Sequence, residues 1–275
     1  MTKQGWYKSG EDLITQMKTL QLPENQLAVW YLGQAGIVLK YGDKLYCIDP
    51  YLRESKARSF EPPFDASEAV FFDYIFCTHN HTDHLDEVAL KAINEAGADT
   101  KYIVPAPHVH VLQDLGIAAE QIIAAKAGEK FTLGDISVEP VPAAHEEFSY
   151  DAEGNHEHLG FIIRTPAGTV YHSGDTIEWE TMTEDLSGKG IDIMCLPING
   201  SDWKRKKHNI IGNLDAREAA DIADTCGADL LIPLHFDLFR HNGENPAHLT
   251  DYMYHDHPGH KYHIMVPGEL FIYLK

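Results

Sequence analysis

Apolar and polar positions repeat with two different periods along the chain. Residues 9–20 place their apolar side chains on one helical stripe, which predicts an opening helix with Ser9 as its cap. Residues 27–52 then give three short strand-like runs, with a tight hairpin turn at Gly42 and Asp43. The chain therefore begins with a helix and continues into a sheet.

The rest of the chain alternates between the same two patterns. Strand-like runs are predicted at 69–78, 101–106, 130–145, 159–175, 191–199, 228–235 and 262–273. Helices are predicted at 83–97, in a short stretch ending at Gly116, and at 213–227 with Asn213 as cap; 146–158 and 204–209 are predicted polar loops. Because strands and helices interleave without a Pro/Gly/Ser linker, the pattern predicts two packed sheets covered by helices in a single domain, residues 1–275.

Composition and charge narrow the classes of partner. The chain has 275 residues, 44% of them apolar, and a formal net charge of -20, so its average field repels extended nucleic acid and anionic membrane. No apolar run approaches the roughly 18 residues of a membrane span, and the first residues lack a secretory pattern, so we expect a cytoplasmic protein. The cysteines are scattered without a C-x-x-C motif, which predicts free thiols: Cys47, Cys77, Cys195 and Cys226.

One short segment, FCTHNHTDHLD, concentrates the candidate chemistry. It follows a predicted strand and carries His79, His81, Asp83 and His84 within six positions. Imidazole and carboxylate are the ligands that zinc and neighbouring divalent metals bind. A histidine-rich surface loop or a helix cap is the alternative, and the density of ligand types disfavours it.

Further candidate ligands follow other predicted strands. His145, Asp175 and His235 each stand where an apolar run ends. Strand ends on one edge of a sheet converge, so these side chains are expected to share a pocket with the histidine-rich segment. The spacing allows a site for two ions, with His79 and His81 facing one, and Asp83 and His84 the other.

These segments resemble a known family. THNHTDHLD resembles the H-x-H-x-D-H signature of the metallo-β-lactamase superfamily, and the resemblance extends from about Trp30 to Phe236. Within the superfamily, YHSGD at 171–175 and the segment 233–237 are similar to the L-ascorbate-6-phosphate lactonase-like branch. The resemblance implies an α/β fold of the four-layer αββα type, with two mixed β-sheets flanked by helices.

The resemblance also implies a ligand set and a reaction. It assigns one ion to His79, His81 and His145. It assigns a second ion to Asp83, His84 and His235, and it makes Asp175 the carboxylate that bridges both. Two divalent ions, manganese or zinc, are expected, with iron less favoured. The flavin-linked domain of di-iron members is missing from the sequence, which argues against oxidoreductase chemistry. Two such ions lower the pKa of bound water, which predicts hydrolysis, with Asp83, His84 and Asp175 as catalytic residues and Asp83 as a proton shuttle.

The substrate expected from the branch is a phosphorylated sugar-acid lactone, a small anion. The basic run 204–207 is a local exception to the acidic charge, so Lys204 and Arg205, with Arg240 and His241, are candidate substrate contacts. A solvated surface loop remains the alternative for this run. Phosphodiester cleavage, for example of a cyclic nucleotide, β-lactam hydrolysis and a non-catalytic metal scaffold are the competing functions, and the branch suggests a homo-oligomer.

Two other histidine positions are predicted to lie outside the metal site. His172 is expected to orient a ligand or to bind backbone. Four histidines near the C-terminus fall in a Pro/Gly turn and are interpreted as surface decoration: His255, His257, His260 and His263.

Overall fold

A computed structural model describes residues 5–275, which form two β-sheets with α-helices against them. The strands are β1 Gln26–Gly33, β2 Gly36–Tyr41, β3 Lys44–Ile48, β4 Tyr74–Phe76, β5 Lys101–Pro105, β6 Ile122–Ala125, β7 Phe131–Leu133, β8 Ile136–Pro142, β9 Leu159–Thr165, β10 Gly168–His172, β11 Ile193–Pro197, β12 Leu230–Leu234, β13 Lys261–Tyr262 and β14 Leu270–Leu274. The α-helices are α1 Gly10–Thr19, α2 Glu87–Glu95, α3 Val109–Asp114, α4 Met182–Leu186, α5 Trp203–Lys207, α6 Ala216–Thr225 and α7 Ala247–Asp256.

The two sheets repeat one plan. The first runs β14-β1-β2-β3-β4-β5-β6 and the second β13-β12-β11-β10-β9-β8-β7. In the first sheet three antiparallel pairings, from β14 to β3, are followed by three parallel pairings to β6. The second sheet has the same order from β7 to β13. The predicted α/β class with two mixed sheets flanked by helices is confirmed.

Strand β1 shows how the sequence builds two apolar layers. Val29 and Tyr31 belong to a hydrophobic core that contains residues of both sheets. Ala28 and Trp30 belong to a second core on the opposite face, together with Met17 of α1. Successive strand residues point to opposite faces, so a strand that is apolar throughout must be covered on both sides. Each fully buried Val or Leu side chain in these layers contributes roughly 1.5–3 kcal/mol.

Two predicted helix starts were wrong by a few residues, each because an aspartate provides a stronger cap. Helix α2 begins at Glu87 and not at Asp83, since the side chain of Asp86 accepts from the backbone N–H of Ala89. Helix α6 begins after Asp215, which forms a capping box, and not at Asn213. Asp83 and His84 therefore lie in an irregular turn ahead of α2, where neither is fixed by helical geometry.

Two other segments differ from the predicted pattern. The strand predicted at 69–78 is confined to Tyr74–Phe76, because Phe71 and Phe72 pack against the ring of Phe64 and do not join the sheet. The polar loop predicted at 204–209 is instead helix α5, whose N-terminus is capped by Asp202. Strand β6 and helices α4 and α7 were not predicted, since all three are short or bury few side chains.

Other predictions held. Helix α1 begins directly after Ser9, and the two-residue turn at Gly42 and Asp43 joins β2 to β3. The four cysteines are free thiols. Within residues 5–275 no helix combines the length and apolarity that a bilayer crossing requires.

Candidate metal centre

The candidate ligands converge at one end of the two sheets. They follow β4, β8, β10 and β12, or stand in the turn before α2. Their ligand atoms form two groups, and within each group all of these atoms lie within 4.8 Å of one another: His79, His81, His145 and Asp175; Asp83, His84 and His235. All seven residues singled out from the sequence are thus brought together in a cluster that could hold metal.

Asp175 lies between the two groups. Its Oδ2 is 3.7 Å from Nε2 of His145 in the first group and 3.2 Å from Nε2 of His235 in the second. Its Oδ1 is 3.3 Å from Nε2 of His84. One carboxylate therefore faces ring nitrogens of both groups.

Two of the atoms that face the centre have no hydrogen-bonding partner. His84 Nε2 and Asp175 Oδ1 are buried and form no hydrogen bond of acceptable geometry, although they are close together. A buried polar atom without a partner costs free energy. A divalent cation coordinated by imidazole nitrogen and carboxylate oxygen would satisfy both, so the residues fit a metal site.

The electrostatics of the first group favour neutral imidazoles. Burial, together with the charge of His84, holds the pKa of His79 well below its usual range. Burial lowers the pKa of His145 to about 4. Burial also lowers the pKa of His81. Neutral imidazole is the form that binds a metal, so these side chains need no proton release near neutral pH.

In the second group, buried carboxylates raise the pKa of the neighbouring imidazoles. Burial alone would lower the pKa of His235, but the charge of Asp175 and its hydrogen bond raise it to about 9. The pKa of His84 is likewise raised, against burial, by Asp175 and then by Asp49. Buried carboxylates thus attract protons onto the imidazoles, and a divalent cation would supply the same charge directly.

Asp49, at the end of β3, is a functional residue that the sequence analysis missed. His84 Nδ1 donates to its Oδ2 at 2.7 Å, and Thr78 donates to the same carboxylate through its backbone N at 2.8 Å and its Oγ1 at 2.7 Å. An imidazole that gives one N–H to a carboxylate turns its other nitrogen toward a metal. The sequence signal was an aspartate at a strand end, but nothing local connected it to His84.

Gln34, in the turn between β1 and β2, was also missed. Its amide nitrogen lies 2.8 Å from Asp83 Oδ2 and 2.8 Å from His235 Nε2. A glutamine in a hairpin turn carries no metal-ligand signature, so only the fold reveals this contact.

A further imidazole, His158, stands beside the first group. Its ring centroid is 5.0 Å from that of His79 and 5.6 Å from that of His145, and its Nδ1 is 2.9 Å from Oγ of Ser149. Burial, with the charge of His145, lowers the pKa of His158 to about 3. His158 belongs to segment 146–158, which was interpreted as a polar loop and whose two histidines, among several acidic residues, gave no signal.

His172 binds backbone, as predicted. Its Nε2 donates to the carbonyl of Ala35 at 2.8 Å, and its Nδ1 accepts from the N–H of Gly174 at 3.1 Å. Both ring nitrogens are occupied, so His172 fixes the segment leading to Asp175 and does not face the ligand cluster.

The four candidate substrate contacts divide into one buried and three exposed residues. The guanidinium of Arg205 donates to Asn242 Oδ1 at 3.0 Å and to the carbonyl of Gly243 at 2.8 Å, and it pairs with Asp202. All of its nitrogens are engaged within the protein, which disagrees with the substrate contact predicted for it. The others are exposed: Lys204, Arg240 and His241.

Part of this surface lines a cavity. Lys204, Arg205, His208, Ile210 and His241 surround a volume of about 390 Å³. Asn242 joins Arg205 to Asn199 of the segment after β11, so the cavity wall is tied to the loop that follows His235.

The histidines near the C-terminus pair with carboxylates. His257 contacts Asp221 at 2.7 Å and Asp224 at 3.3 Å, and His260 contacts Asp224 at 3.3 Å. His263 contacts Glu269, and His255 lies near Asp251. The side chain of His260 is only 5% exposed, so surface decoration describes it poorly.

Comparison with known proteins places this centre in a family. The family described as "Beta-lactamase superfamily domain" matches residues 46–236, which include every candidate ligand. The chain belongs to this superfamily. A protein of Caldivirga maquilingensis that is named a metal-dependent hydrolase is 26% identical over 87% of this chain and 95% of its own.

Two further proteins are similar to this chain. A "Probable L-ascorbate-6-phosphate lactonase" of Escherichia coli O127:H6 is 21% identical over 90% of this chain and 82% of its own. A novel metallo hydrolase from Ignicoccus hospitalis superposes with a TM-score of 0.68 at 20% identity, covering 90% of this chain and 98% of its own. At that identity the structural likeness concerns the fold. With the ligand cluster, these findings identify the chain as a metal-dependent hydrolase of the superfamily.

Proposed function

We propose that the centre holds two divalent ions, manganese or zinc, and that the enzyme opens the lactone ring of a phosphorylated sugar acid. The observation that carries the two-ion site is the position of Asp175, whose carboxylate faces His145 on one side and His84 and His235 on the other. Mixed imidazole and carboxylate ligation suits both metals.

The residues of each group have distinct roles in this proposal. His79, His81 and His145 would hold the first ion, Asp83, His84 and His235 would hold the second, and Asp175 would serve both. When bound, such ions supply Lewis acidity and make water nucleophilic near neutral pH. Asp83, whose side chain is 19% exposed, is suited to carry a proton between water and the leaving oxygen.

The choice of a phosphorylated lactone rests on two supports. One is the name of the Escherichia coli relative. The other is the basic surface of α5 beside the loop after His235, in a protein whose net charge is -20. Lys204 and His241 line the cavity there and could contact a phosphate, while Arg205 forms its wall.

The test is hydrolysis by metal-loaded protein of L-ascorbate 6-phosphate, a cyclic nucleotide and a generic phosphodiester, with manganese and zinc compared. We expect ring opening to be fastest, and we expect His81→Ala, which lacks one ligand of the first ion, to abolish it. Faster cleavage of the diesters would transfer the same centre to phosphodiesterase chemistry. Full activity of His81→Ala with unchanged metal content would refute the ligand assignment.

The phosphate contact has its own test. Lys204→Ala should raise KM for the phosphorylated lactone and leave KM for the dephosphorylated lactone unchanged. An equal effect on both substrates would remove Lys204 from phosphate recognition.

A further inference from the structure

The turn between β1 and β2 has an unusual residue at its tip. Gly33 pairs with Gly36, so the hairpin loop consists of Gln34 and Ala35. Gln34 has a φ of 59°, in the left-handed region, and it is 1% exposed. A two-residue hairpin with positive φ at its first central residue normally has glycine there, because a side chain makes that conformation costly.

The backbone of Gln34 binds the strand end that carries His235. Its carbonyl accepts from the N–H of His235 at 2.6 Å, and its N–H donates to Asp237 Oδ1 at 3.0 Å. Glycine could form both of these bonds, and it could adopt the same φ without strain. The backbone contacts therefore do not explain why the turn carries glutamine.

The side chain of Gln34 makes the contacts that glycine could not. Its amide N–H donates to Asp83 Oδ2 at 2.8 Å, and the same nitrogen lies 2.8 Å from Nε2 and 3.3 Å from Nδ1 of His235, beside the edge of the ring and off the axis of the Nε2 lone pair that a metal would take. Asp83 comes from the turn before α2 and His235 from the end of β12. The local geometry of neither segment fixes the distance between these two residues. The amide spans them and leaves the second carboxylate oxygen of Asp83 unoccupied by this contact.

We infer that Gln34 is a positioning residue that holds Asp83 and His235 in the arrangement by which they bind the second ion. The inference rests on the two-ion site of the proposed function. Hydrogen bonds that orient a metal ligand typically change metal affinity 10- to 100-fold when they are removed. The first group lacks a contact with the Gln34 amide among the hydrogen bonds of residues 5–275, so its ion should bind as before.

Gln34→Gly isolates the amide, because it retains the backbone bonds and relieves the φ of the turn. The metal-free wild type and variant would be dialysed against Mn²⁺ over a range of concentrations, and bound metal would be counted by mass spectrometry. We expect the first equivalent to bind as in the wild type and the second to bind about 10- to 100-fold more weakly. The unfolding midpoint of the metal-free variant should be equal to that of the wild type or higher.

Two further variants complete the design. Asn209→Gly relieves a strained position, with a φ of 55°, that neither belongs to the ligand cluster nor adjoins one of its residues in the sequence, and it should leave both Mn²⁺ affinities unchanged. Gln34→Asn tolerates the same φ but is one methylene shorter, so it should lose the contact and weaken the second equivalent as Gln34→Gly does. It also serves if the glycine variant fails to fold.

The outcomes distinguish the positioning role of Gln34 from the two-ion site itself. Two equivalents bound to Gln34→Gly with wild-type affinity would overturn the inference and leave the two-ion proposal intact. A wild-type protein that binds only one equivalent would overturn both. If excess Mn²⁺ fills both sites of Gln34→Gly and restores kcat, the positioning role is supported; a low kcat at full occupancy would overturn it and make Gln34 a contact of the reacting atoms.

Discussion

Asp49→Asn should weaken metal binding at the second group while leaving the fold nearly unchanged. In the wild type the two carboxylate oxygens accept three hydrogen bonds, from the backbone N–H and Oγ1 of Thr78 and from Nδ1 of His84. The proton on Nδ1 leaves Nε2 of His84 as the nitrogen with a free electron pair, facing Asp175. An asparagine whose oxygen keeps the Thr78 backbone bond must turn its NH₂ toward His84.

Two donors then meet where a donor and an acceptor stood before. The imidazole can relieve the conflict by moving its proton from Nδ1 to Nε2, which removes the lone pair that a metal needs. Loss of a carboxylate behind a metal-binding histidine typically weakens metal affinity 10- to 100-fold, or about 1.4–2.8 kcal/mol. Asp49→Ala is the poorer experiment, since it would leave three buried donors unpaired at about 1–3 kcal/mol each.

The assay is calorimetric titration of metal-free Asp49→Asn with Mn²⁺, alongside thermal unfolding. Asp73→Asn is the matched control, because Asp73 also accepts from a backbone N–H, that of Leu45, and from a side chain, that of Lys44, but lies outside the cluster. We expect only Asp49→Asn to lose affinity for the second equivalent. Wild-type affinity for both ions in Asp49→Asn would refute the argument from the imidazole proton.

Three other perturbations test contacts away from the ions. Lys40→Met should lower the free energy of unfolding by about 1–3 kcal/mol in urea titration, because the buried Nζ donates to two carbonyls at the end of α1, at 2.7 and 3.2 Å. Burial lowers the pKa of His257, but its hydrogen bond to Asp221 and the charges of Asp224 and Asp221 together outweigh this and leave the pKa raised. The pair therefore stabilises the fold fully below the unfolded pKa of about 6.5 and loses that effect as pH rises through the folded pKa, so the difference between wild type and His257→Gln, below about 1 kcal/mol, should shrink from pH 6 to pH 9. Arg205→Ala should lower the unfolding midpoint, whereas Lys204→Ala should not, because the guanidinium of Arg205 donates to Asn242 and Gly243 while the side chain of Lys204 is exposed.

The ligand set could be predicted from the sequence because the fold places strand ends together. His79 follows β4, Asp175 follows β10 and His235 follows β12, and in each case an apolar run ends at most a few residues before the polar residue. Such runs can be recognised in the sequence alone. Parallel pairing of β10, β11 and β12 brings the ends that precede Asp175 and His235 to one edge of the second sheet. The density of ligands after β4 supplied the remaining signal.

The residues that orient the ligands could not be predicted in this way. Asp49 contacts His84 across 35 positions of the sequence, and Gln34 contacts Asp83 across 49 and His235 across 201. No spacing rule connects residues so far apart. For Arg205 the sequence suggested a contact that the structure does not show. Its position in a basic run predicted a solvent-facing side chain, whereas the packing of α5 buries it against the loop after His235.

Most of the residues with a strained backbone lie in or beside the ligand cluster. Among residues 5–275, the non-glycine residues with positive φ are Gln34, Asp49, Glu146, Asn209 and His235. Three of them contact or belong to the ligand cluster, and Glu146 directly follows His145. Each such conformation costs on the order of 1–3 kcal/mol and persists only where the surroundings enforce it. Glycine would form these turns more readily, and what Gln34, Asp49 and His235 add is side chains that contact the second group of ligands or belong to it. Replacement of Gln34 by glycine should separate the two effects, leaving the unfolding midpoint equal or higher while it weakens binding of the second ion.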